Sequence, residues 1–164
     1  MVKIMFICHG NICRSVSAEY IMKDLAKKNG VDLYVSSAAT SREEIGNDIY
    51  PPAKRKLKEK GIPFSRHYAR QATMIDYLSY DYLICMDENN IRNLNRMFNN
   101  DPDHKIYKLL SRDVSDPWYT NDFETAYNDI FEGCKAWLEK LSWNRIYIHT
   151  LSFVMAKIRL KKWL

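Results

Sequence analysis

Two cysteines and an arginine lie close together in the segment CHGNICRS, which runs from Cys8 to Ser15. The apolar run of residues 2–7, typical of a buried strand, precedes this segment, and a helical pattern begins at Ser15. A cysteine thiolate is a nucleophile, and the planar guanidinium of Arg14 can bind two phosphate oxygens. Cys8 and Arg14 alone would favour a buried cysteine that packs as a small hydrophobe. The full string in this context predicts a nucleophile inside an anion-binding loop.

The residues between the cysteine and the arginine suit an anion cradle. Gly10 permits close approach and positive φ, and Asn11 tolerates left-handed geometry. A curled loop points the N–H groups of residues 10–13 inward, and the following helix adds its N–H groups and positive dipole end. The same field stabilises a thiolate at Cys8, and the Ser15 hydroxyl can donate a hydrogen bond to its sulfur. We therefore expect Cys8 to attack phosphorus without a separate base.

A leaving phenoxide or alkoxide requires a general acid, and the segment DPWY supplies the candidate. Asp116 lies on a loop that Pro117 stiffens, and it could next act as the base for the water that hydrolyses a phosphocysteine. Asp113 on the same loop is a rival acid, and a turn-forming Asp-Pro is the alternative interpretation. Trp118 and Tyr119 offer flat walls for an aromatic leaving group.

Strands and helices that alternate along the chain must position these residues. Strands are predicted at 2–7, 33–39, 82–86 and 106–110, and helices at 15–29, 51–60, 88–98 and 123–141. This order predicts an α/β fold: a single domain with a four-stranded parallel sheet, helices on both faces and the phosphate-binding loop after the first strand. Ligands bind such sheets at the carboxyl ends of the strands, so the loops of Cys8 and Asp116 should share one rim.

Composition and cysteine usage exclude several classes of protein. The 164 residues, 46% hydrophobic and 27% charged, suit one soluble domain with its own core. The four cysteines form no CxxC pair and no metal-ligand spacing, so we expect neither a metal nor a cofactor. Without a secretory signal, we expect free thiols and a cytoplasmic location.

The basic character of the chain comes from its C-terminal end. Five of the 25 basic residues and none of the 20 acidic residues lie in 142–164, so residues 1–141 are neutral overall. We therefore predict a domain at 1–141, no nucleic-acid partner, and a basic, apolar extension of unknown role at 142–164. A packed extra helix or a non-native addition ranks above contact with a membrane surface, and the extension is too charged to span a bilayer.

Six segments, in this order, resemble the low-molecular-weight protein tyrosine phosphatases over roughly residues 2–141. They are CHGNICRS (8–15), SSAATS (36–41), EIGN (44–47), RHYARQ (66–71), DYLICMDENN (81–90) and DPWY (116–119). The resemblance implies hydrolysis of phosphotyrosine proteins or small aryl phosphates, with inorganic phosphate as product and inhibitor. It implies Cys8 as nucleophile, Arg14 as phosphate clamp and Asp116 as general acid.

The resemblance also assigns roles within and beneath the loop. It implies a hydrogen-bonded supporting network of Asn11, Ser37 and His67, to which Ser15 adds its contact with the thiolate. Cys13 matches a second loop cysteine that forms a reversible disulfide with the nucleophile and protects it from over-oxidation. The residues expected to surround the phosphate are His9, Gly10, Asn11, Ile12, Cys13, Arg14 and Ser15.

The expected substrate walls combine family features with one departure. Ile12 is of the type found in tyrosine-directed members, and Trp118 and Tyr119 match the aromatic wall. Glu43 aligns with an aromatic residue of many relatives, which would shift substrate preference towards basic flanking residues.

A second departure lies at the start of the first helix. Val16 replaces a proline of many relatives there, and we expect only a small effect on the start of the helix.

Two other functions fit parts of the sequence. A thioredoxin-coupled arsenate reductase shares this fold and loop, but it relays a disulfide through cysteines that lie near each other. Cys85 and Cys134 are far apart in the sequence and have no near neighbours. A phosphopeptide-binding module without catalysis is the other alternative, which the intact Cys8, Arg14 and Asp116 disfavour.

Overall fold

A four-stranded parallel sheet lies at the centre of the computed structural model, which describes residues 1–161 and the side chains of residues 1–143. The strands are β1 (Val2–Cys8), β2 (Leu33–Ala39), β3 (Tyr82–Cys85) and β4 (Ile106–Lys108). The helices are α1 (Arg14–Lys28), α2 (Pro51–Glu59), α3 (Met74–Ser79), α4 (Glu88–Met97), α5 (Pro117–Thr120) and α6 (Phe123–Lys161). The strand order is β2-β1-β3-β4, and every pairing is parallel. The predicted fold class is confirmed.

Each face of the sheet carries its own hydrophobic core. On β1, Ile4 and Phe6 pack in the cluster that includes residues of α1, α2 and α6, whereas Met5 and Ile7 pack in the cluster that includes residues of α3 and α4. All four side chains are fully buried. A strand covered on both faces has no solvent-facing positions, which explains why residues 4–7 are continuously apolar.

The topology brings the future site residues to one edge of the sheet. From β1 the chain crosses through α1 to β2 on one side, while β3 pairs with β1 on the other side. The strand order therefore reverses at β1, and a crevice opens at the carboxyl ends of β1 and β3. The loop that begins at Cys8 and the start of α4 lie at this crevice.

Two short helices of the structure are missing from the sequence-based prediction. In α3, Thr73 and Asp76 form a reciprocal capping box, but only Asp76 and Tyr77 of its six residues are buried. In α5, Asp116 caps the single turn that follows Pro117. Neither helix is long enough to show an apolar repeat, so periodicity could not reveal them.

The last helix continues beyond its predicted end. We expected a helix end at Leu141, but α6 runs to Lys161. No glycine or proline follows Leu141, so the sequence contains no strong stop signal. The side chains of 144–164, on which the predicted packing or membrane contact of the extension depends, lie outside the described residues. Among residues 1–161, no helix combines the length and apolarity needed to cross a membrane.

Candidate active site

The loop between β1 and α1 wraps around the sulfur of Cys8. The Asn11 N–H donates to Cys8 Sγ at 3.3 Å, and Ser15 Oγ lies 3.0 Å from the same sulfur. Because Asn11 Nδ2 donates to Ser15 Oγ at 2.9 Å, the hydroxyl proton is free to point at Cys8. The loop therefore offers the sulfur two hydrogen-bond donors.

The left-handed residue of the loop is Asn11, with φ of 61°. Gly10 does not share this conformation, which corrects our expectation of a positive φ there. Gly10 serves close approach instead: a Cβ at this position would lie 3.1 Å from Glu44 Cγ. The glycine thus gives the Glu44 side chain room to lie against the loop.

A hydrogen-bonded network beneath the loop holds Asn11 in its unusual conformation. Asn11 Nδ2 also donates to Ser37 Oγ at 2.8 Å. His67 Nε2 lies 2.9 Å from the Asn11 carbonyl oxygen and 3.1 Å from its Oδ1. Since both partners are acceptors, Nε2 carries the proton and donates. Burial lowers the pKa of His67, and the charge of Glu19 opposes this effect.

Glu19 is a member of this network that sequence reasoning missed. Ser37 Oγ donates to Glu19 Oε2 at 2.6 Å, and Lys23 pairs with the other carboxylate oxygen. The sequence contained a signal, because Glu19 shares the inward face of α1 with Ser15 and Met22. An acidic residue on a buried helix face needs a polar partner, so a site beneath it could have been inferred.

Arg14 is buried between two carboxylates at the rim of the sheet. Its Nη1 donates to Asp87 Oδ2 at 2.6 Å and to the Val114 carbonyl oxygen at 3.0 Å, and its Nη2 donates to Asp116 Oδ2 at 2.7 Å. Burial alone would lower the pKa of Arg14, but Cys8, Asp116 and Asp87 raise it overall. The guanidinium is therefore a fixed cation beside the sulfur.

Asp87 is the second residue that sequence reasoning missed. It follows β3 and caps α4, where its Oδ1 accepts from the Asn90 N–H at 2.7 Å. A capping aspartate at this position looks purely structural in the sequence. Because β3 pairs with β1 in the sheet, the start of α4 lies beside the loop after β1, and Asp87 Oδ2 reaches Arg14 there.

The structure distinguishes the two candidate acids on the loop after β4. Asp116 lines the cavity above Cys8, and its Oδ1 accepts from the Trp118 N–H at 3.1 Å. Asp113 does not line this cavity and accepts instead from Lys108 Nζ at 3.1 Å and from the Glu88 N–H. The geometry therefore favours Asp116 as the proton donor.

One cavity brings together the three predicted catalytic residues and the four predicted wall residues, and it adds Glu44. Asn11 and Ser15, which were expected to surround the phosphate, do not line it. Trp118 and Tyr119 stand at its mouth with 51% and 82% of their surfaces exposed. Tyr50, which sequence reasoning missed, supports the Trp118 ring at a centroid distance of 4.9 Å. Ser37 and His67 do not line the cavity, so they act on the loop only from below.

The four cysteines are free thiols in different surroundings. Cys13 is buried but lines the same cavity as Cys8, and burial together with the charges of Cys8 and Asp116 raises its pKa. Cys85 and Cys134 are fully buried in the cores on opposite faces of the sheet, and burial raises the pKa of both. A disulfide relay through this second pair would require the core to open.

The site offers cationic and N–H donors. Within the part of the chain that the structure describes, no group of three or more His, Cys, Asp or Glu side chains is arranged to hold a metal ion. Arg14 and the N-terminus of α1 face the Cys8 sulfur instead. This arrangement suits a tetrahedral anion with the Cys8 sulfur beneath it.

Comparison with known proteins extends over most of the chain. Residues 3–146 match the family described as low molecular weight phosphotyrosine protein phosphatase. The protein of that name from Homo sapiens is 43% identical over 149 residues, which cover 84% of this chain and 94% of the human protein. Low molecular weight protein-tyrosine-phosphatase YfkJ from Bacillus subtilis is 36% identical over 150 residues, which cover 86% of this chain and 96% of YfkJ.

Solved structures show the same likeness. The crystal structure of YfkJ has a TM-score of 0.85 at 35% identity and covers 88% of this chain and 96% of that chain. The crystal structure of SP-PTP, a low molecular weight protein tyrosine phosphatase from Streptococcus pyogenes, has a TM-score of 0.82 at 40% identity. It covers 86% of this chain and 93% of that chain. The resemblance seen in the sequence is confirmed.

Proposed function

The chain belongs to the low molecular weight phosphotyrosine protein phosphatase family, and from this premise we propose that it hydrolyses phosphotyrosine through a phosphocysteine on Cys8. One observation supports this most strongly. The Cys8 sulfur receives hydrogen bonds from the loop at the floor of a cavity that also contains Arg14 and Asp116. A non-catalytic phosphopeptide-binding module would have no need for this combination.

In the first step, the phosphate lies in the cradle formed by the loop N–H groups and Arg14. The Cys8 thiolate attacks phosphorus, an S–P bond forms, and the P–O bond to the tyrosine ring breaks. Asp116, in its protonated form, gives its proton to the leaving phenoxide. Because Arg14 Nη2 holds Asp116 at 2.7 Å in the structure, the phosphate oxygens must take over this donor as the substrate enters.

In the second step, water attacks the phosphocysteine. Asp116, now ionised, accepts a proton from the water, the S–P bond breaks, and the Cys8 thiolate is restored. Inorganic phosphate leaves the same cradle that bound the substrate. The product therefore competes with the substrate and acts as an inhibitor.

Cys13 protects the nucleophile in this proposal. A peroxide oxidises the Cys8 thiolate to a sulfenic acid, and the Cys13 thiol then displaces the hydroxyl group as water to form a disulfide. A thiol reductant restores both cysteines. The presence of both side chains in one cavity supports this role, as does the burial that keeps Cys13 protonated and unreactive in the resting enzyme.

The walls of the cavity select the substrate. Ile12, Trp118 and Tyr119 provide apolar surface for a phenyl ring carrying the phosphate. A catalytic thiol requires a reducing compartment, which supports a cytoplasmic location.

The decisive experiment compares peptides that carry phosphotyrosine, phosphoserine or phosphoarginine. The wild-type protein should hydrolyse the phosphotyrosine peptide, and Cys8→Ser should lose this turnover. Cys134→Ser makes the same thiol-to-hydroxyl change far from the cavity and should retain it. Full activity in the Cys8→Ser protein would overturn the proposal.

A further inference from the structure

Two carboxylates, Glu43 and Glu44, line the cavity in addition to Asp116. His9 Nε2 lies 3.0 Å from Glu43 Oε2, and 70% of the Glu43 side chain is exposed. Glu44 Oε2 accepts from Asn47 Nδ2 at 2.6 Å. Both carboxylates therefore have hydrogen-bond partners that hold them at the cavity, and the absence of a side chain at Gly10 leaves space for the Glu44 stem.

These two carboxylates differ from other acidic side chains nearby in what balances their charge. Asp48 pairs with Lys54, and Glu124 pairs with Lys56 and Lys60. Among the described residues, neither Glu43 nor Glu44 forms an ion pair with a lysine or arginine. The guanidinium of Arg42, the residue before Glu43, does not line the cavity. The cavity thus carries negative charge that no arginine or lysine side chain of the described residues neutralises by direct pairing.

Negative charge beside a phosphate site opposes the binding of a phosphate alone, because like charges repel, and solvent weakens this repulsion at the exposed Glu43. A cation carried by the substrate reverses the sign of this interaction. With the phosphate in the loop, a lysine or arginine next to the phosphotyrosine would lie near Glu43 and Glu44 and gain the attraction of both.

We propose that Glu43 and Glu44 select phosphotyrosine sites that have a lysine or arginine as an immediate neighbour. This inference rests on the proposed function and adds its substrate class. The contribution is to binding, since neither carboxylate touches the reacting atoms. Preference should therefore appear in KM rather than in kcat.

The test measures kcat/KM for three phosphotyrosine peptides that carry Lys, Ala or Glu on both sides of the phosphotyrosine. We expect the order Lys, Ala, Glu. The span between the Lys and Ala peptides should reach about thirtyfold if each of the two exposed pairs contributes at the upper end of the usual range. The span should shrink as salt is raised. The double variant Glu43→Gln/Glu44→Gln removes both carboxylates, so the span between the peptides should fall to about twofold or less.

Two controls make the result specific. Glu139→Gln removes an exposed carboxylate on α6, away from the cavity, and should keep the wild-type span. p-Nitrophenyl phosphate has no flanking residue, so its hydrolysis measures the phosphate site without the contribution of neighbouring residues. Equal kcat/KM for the three peptides in the wild type, or an unchanged span in the double variant, would overturn this inference alone. A wild type inactive on both p-nitrophenyl phosphate and the peptides would overturn the proposed function as well.

Discussion

Arg14 shows how single residues from distant parts of the chain create the site. Arg14 forms ion pairs with Asp87, which follows β3, and with Asp116, which caps α5. Only 3% of its side chain is exposed. A buried guanidinium needs such partners, because an unpaired buried charge is strongly unfavourable. In the proposed mechanism, Asp87 keeps Arg14 paired while Asp116 donates its proton to the leaving group.

Asp116→Ala should slow hydrolysis in proportion to the basicity of the leaving group. Loss of a general acid typically costs about 10²- to 10⁴-fold. We expect the largest decrease in the first step with phenyl phosphate, whose phenoxide needs a proton, and a smaller one with p-nitrophenyl phosphate. Single-turnover rates for the two substrates provide the measurement. Asp113→Ala, which changes the rival acid, should leave both rates close to wild type; the opposite pattern would assign the acid to Asp113.

The sequence allowed prediction of some site residues and not of others, for a physical reason. Cys8 and Arg14 lie on one continuous loop whose chemistry is local. Ser37 and His67 became candidates only through the family resemblance. Asp87 and Glu44 belong to the site through contacts between segments far apart in the chain, and no local pattern distinguishes them from ordinary surface acids.

Among the elements, α3 is stabilised by the hydrogen bonds of Asp76 more than by the burial of apolar side chains. Asp76 accepts from Arg70 Nη1 at 2.8 Å, from Arg70 Nη2 at 3.0 Å and from the Thr73 N–H at 2.8 Å. Burial would raise the pKa of Asp76, but these hydrogen bonds lower it overall from the ordinary 3.8. The Arg70 N–H also donates to Asn11 Oδ1 at 3.3 Å. The Arg70–Asp76 pair therefore lies next to the phosphate loop.

Asp76→Asn should therefore change stability in a pH-dependent way. Since the folded pKa lies below the unfolded one, the contribution is present above about pH 4 and is lost as the pH falls through the folded value. We expect the variant to be less stable by about 1–3 kcal/mol at pH 7 and to show a shallower loss in acid. Urea unfolding across a pH series measures this, with exposed Asp32→Asn as control. Identical curves for the variant and wild type would contradict the account.

Gly133 on α6 lies close to Leu109, the residue that follows β4. A Cβ here would lie 2.7 Å from Leu109 Cδ1, although glycine to alanine in a free helix is stabilising by about 1 kcal/mol. We expect Gly133→Ala to destabilise the protein by about 1–3 kcal/mol through overpacking. Denaturant unfolding should show that Gly133→Ala/Leu109→Ala loses less than the sum of the single changes. A stabilised Gly133→Ala protein would show that α6 can move away freely.

Elements were predictable where burial imposes a pattern. The strands β1 and β3 are continuously apolar because both of their faces are covered, and α1 shows a clear helical repeat. Helix α3 was missed because hydrogen bonds of Asp76 stabilise it, and these leave no periodic signal. The end of α6 was predicted wrongly, since no glycine or proline follows Leu141 to end the helix there.

At the scale of the whole molecule, the described side chains of the larger core extend as far as the start of the C-terminal extension. Leu138 and Leu141 are the last buried residues of the larger core among the described side chains. We propose that residues 1–141 form the catalytic domain and that 142–164 are an extension outside it. The family match to residue 146 extends only a short way beyond this boundary.

Removal of residues 142–164 should leave catalysis unchanged, because no described side chain beyond Tyr119 lines the cavity. We expect kcat and KM for p-nitrophenyl phosphate within about twofold of the full chain, since surface changes remote from a site have small effects. The isoelectric point should fall, because five basic residues and no acidic ones are removed. A large loss of activity with retained folding would show that the extension takes part in the site.

The phosphocysteine on Cys8 is the central claim, and pre-steady-state kinetics of Asp116→Ala with p-nitrophenyl phosphate test it most directly. This leaving group depends less on the acid in the first step, whereas the water of the second step lacks its base. We predict a burst of one nitrophenolate per active site, slow turnover afterwards, and a phosphoryl group on the Cys8 peptide by mass spectrometry. Turnover with neither a burst nor a phosphoryl group at Cys8 would contradict the account.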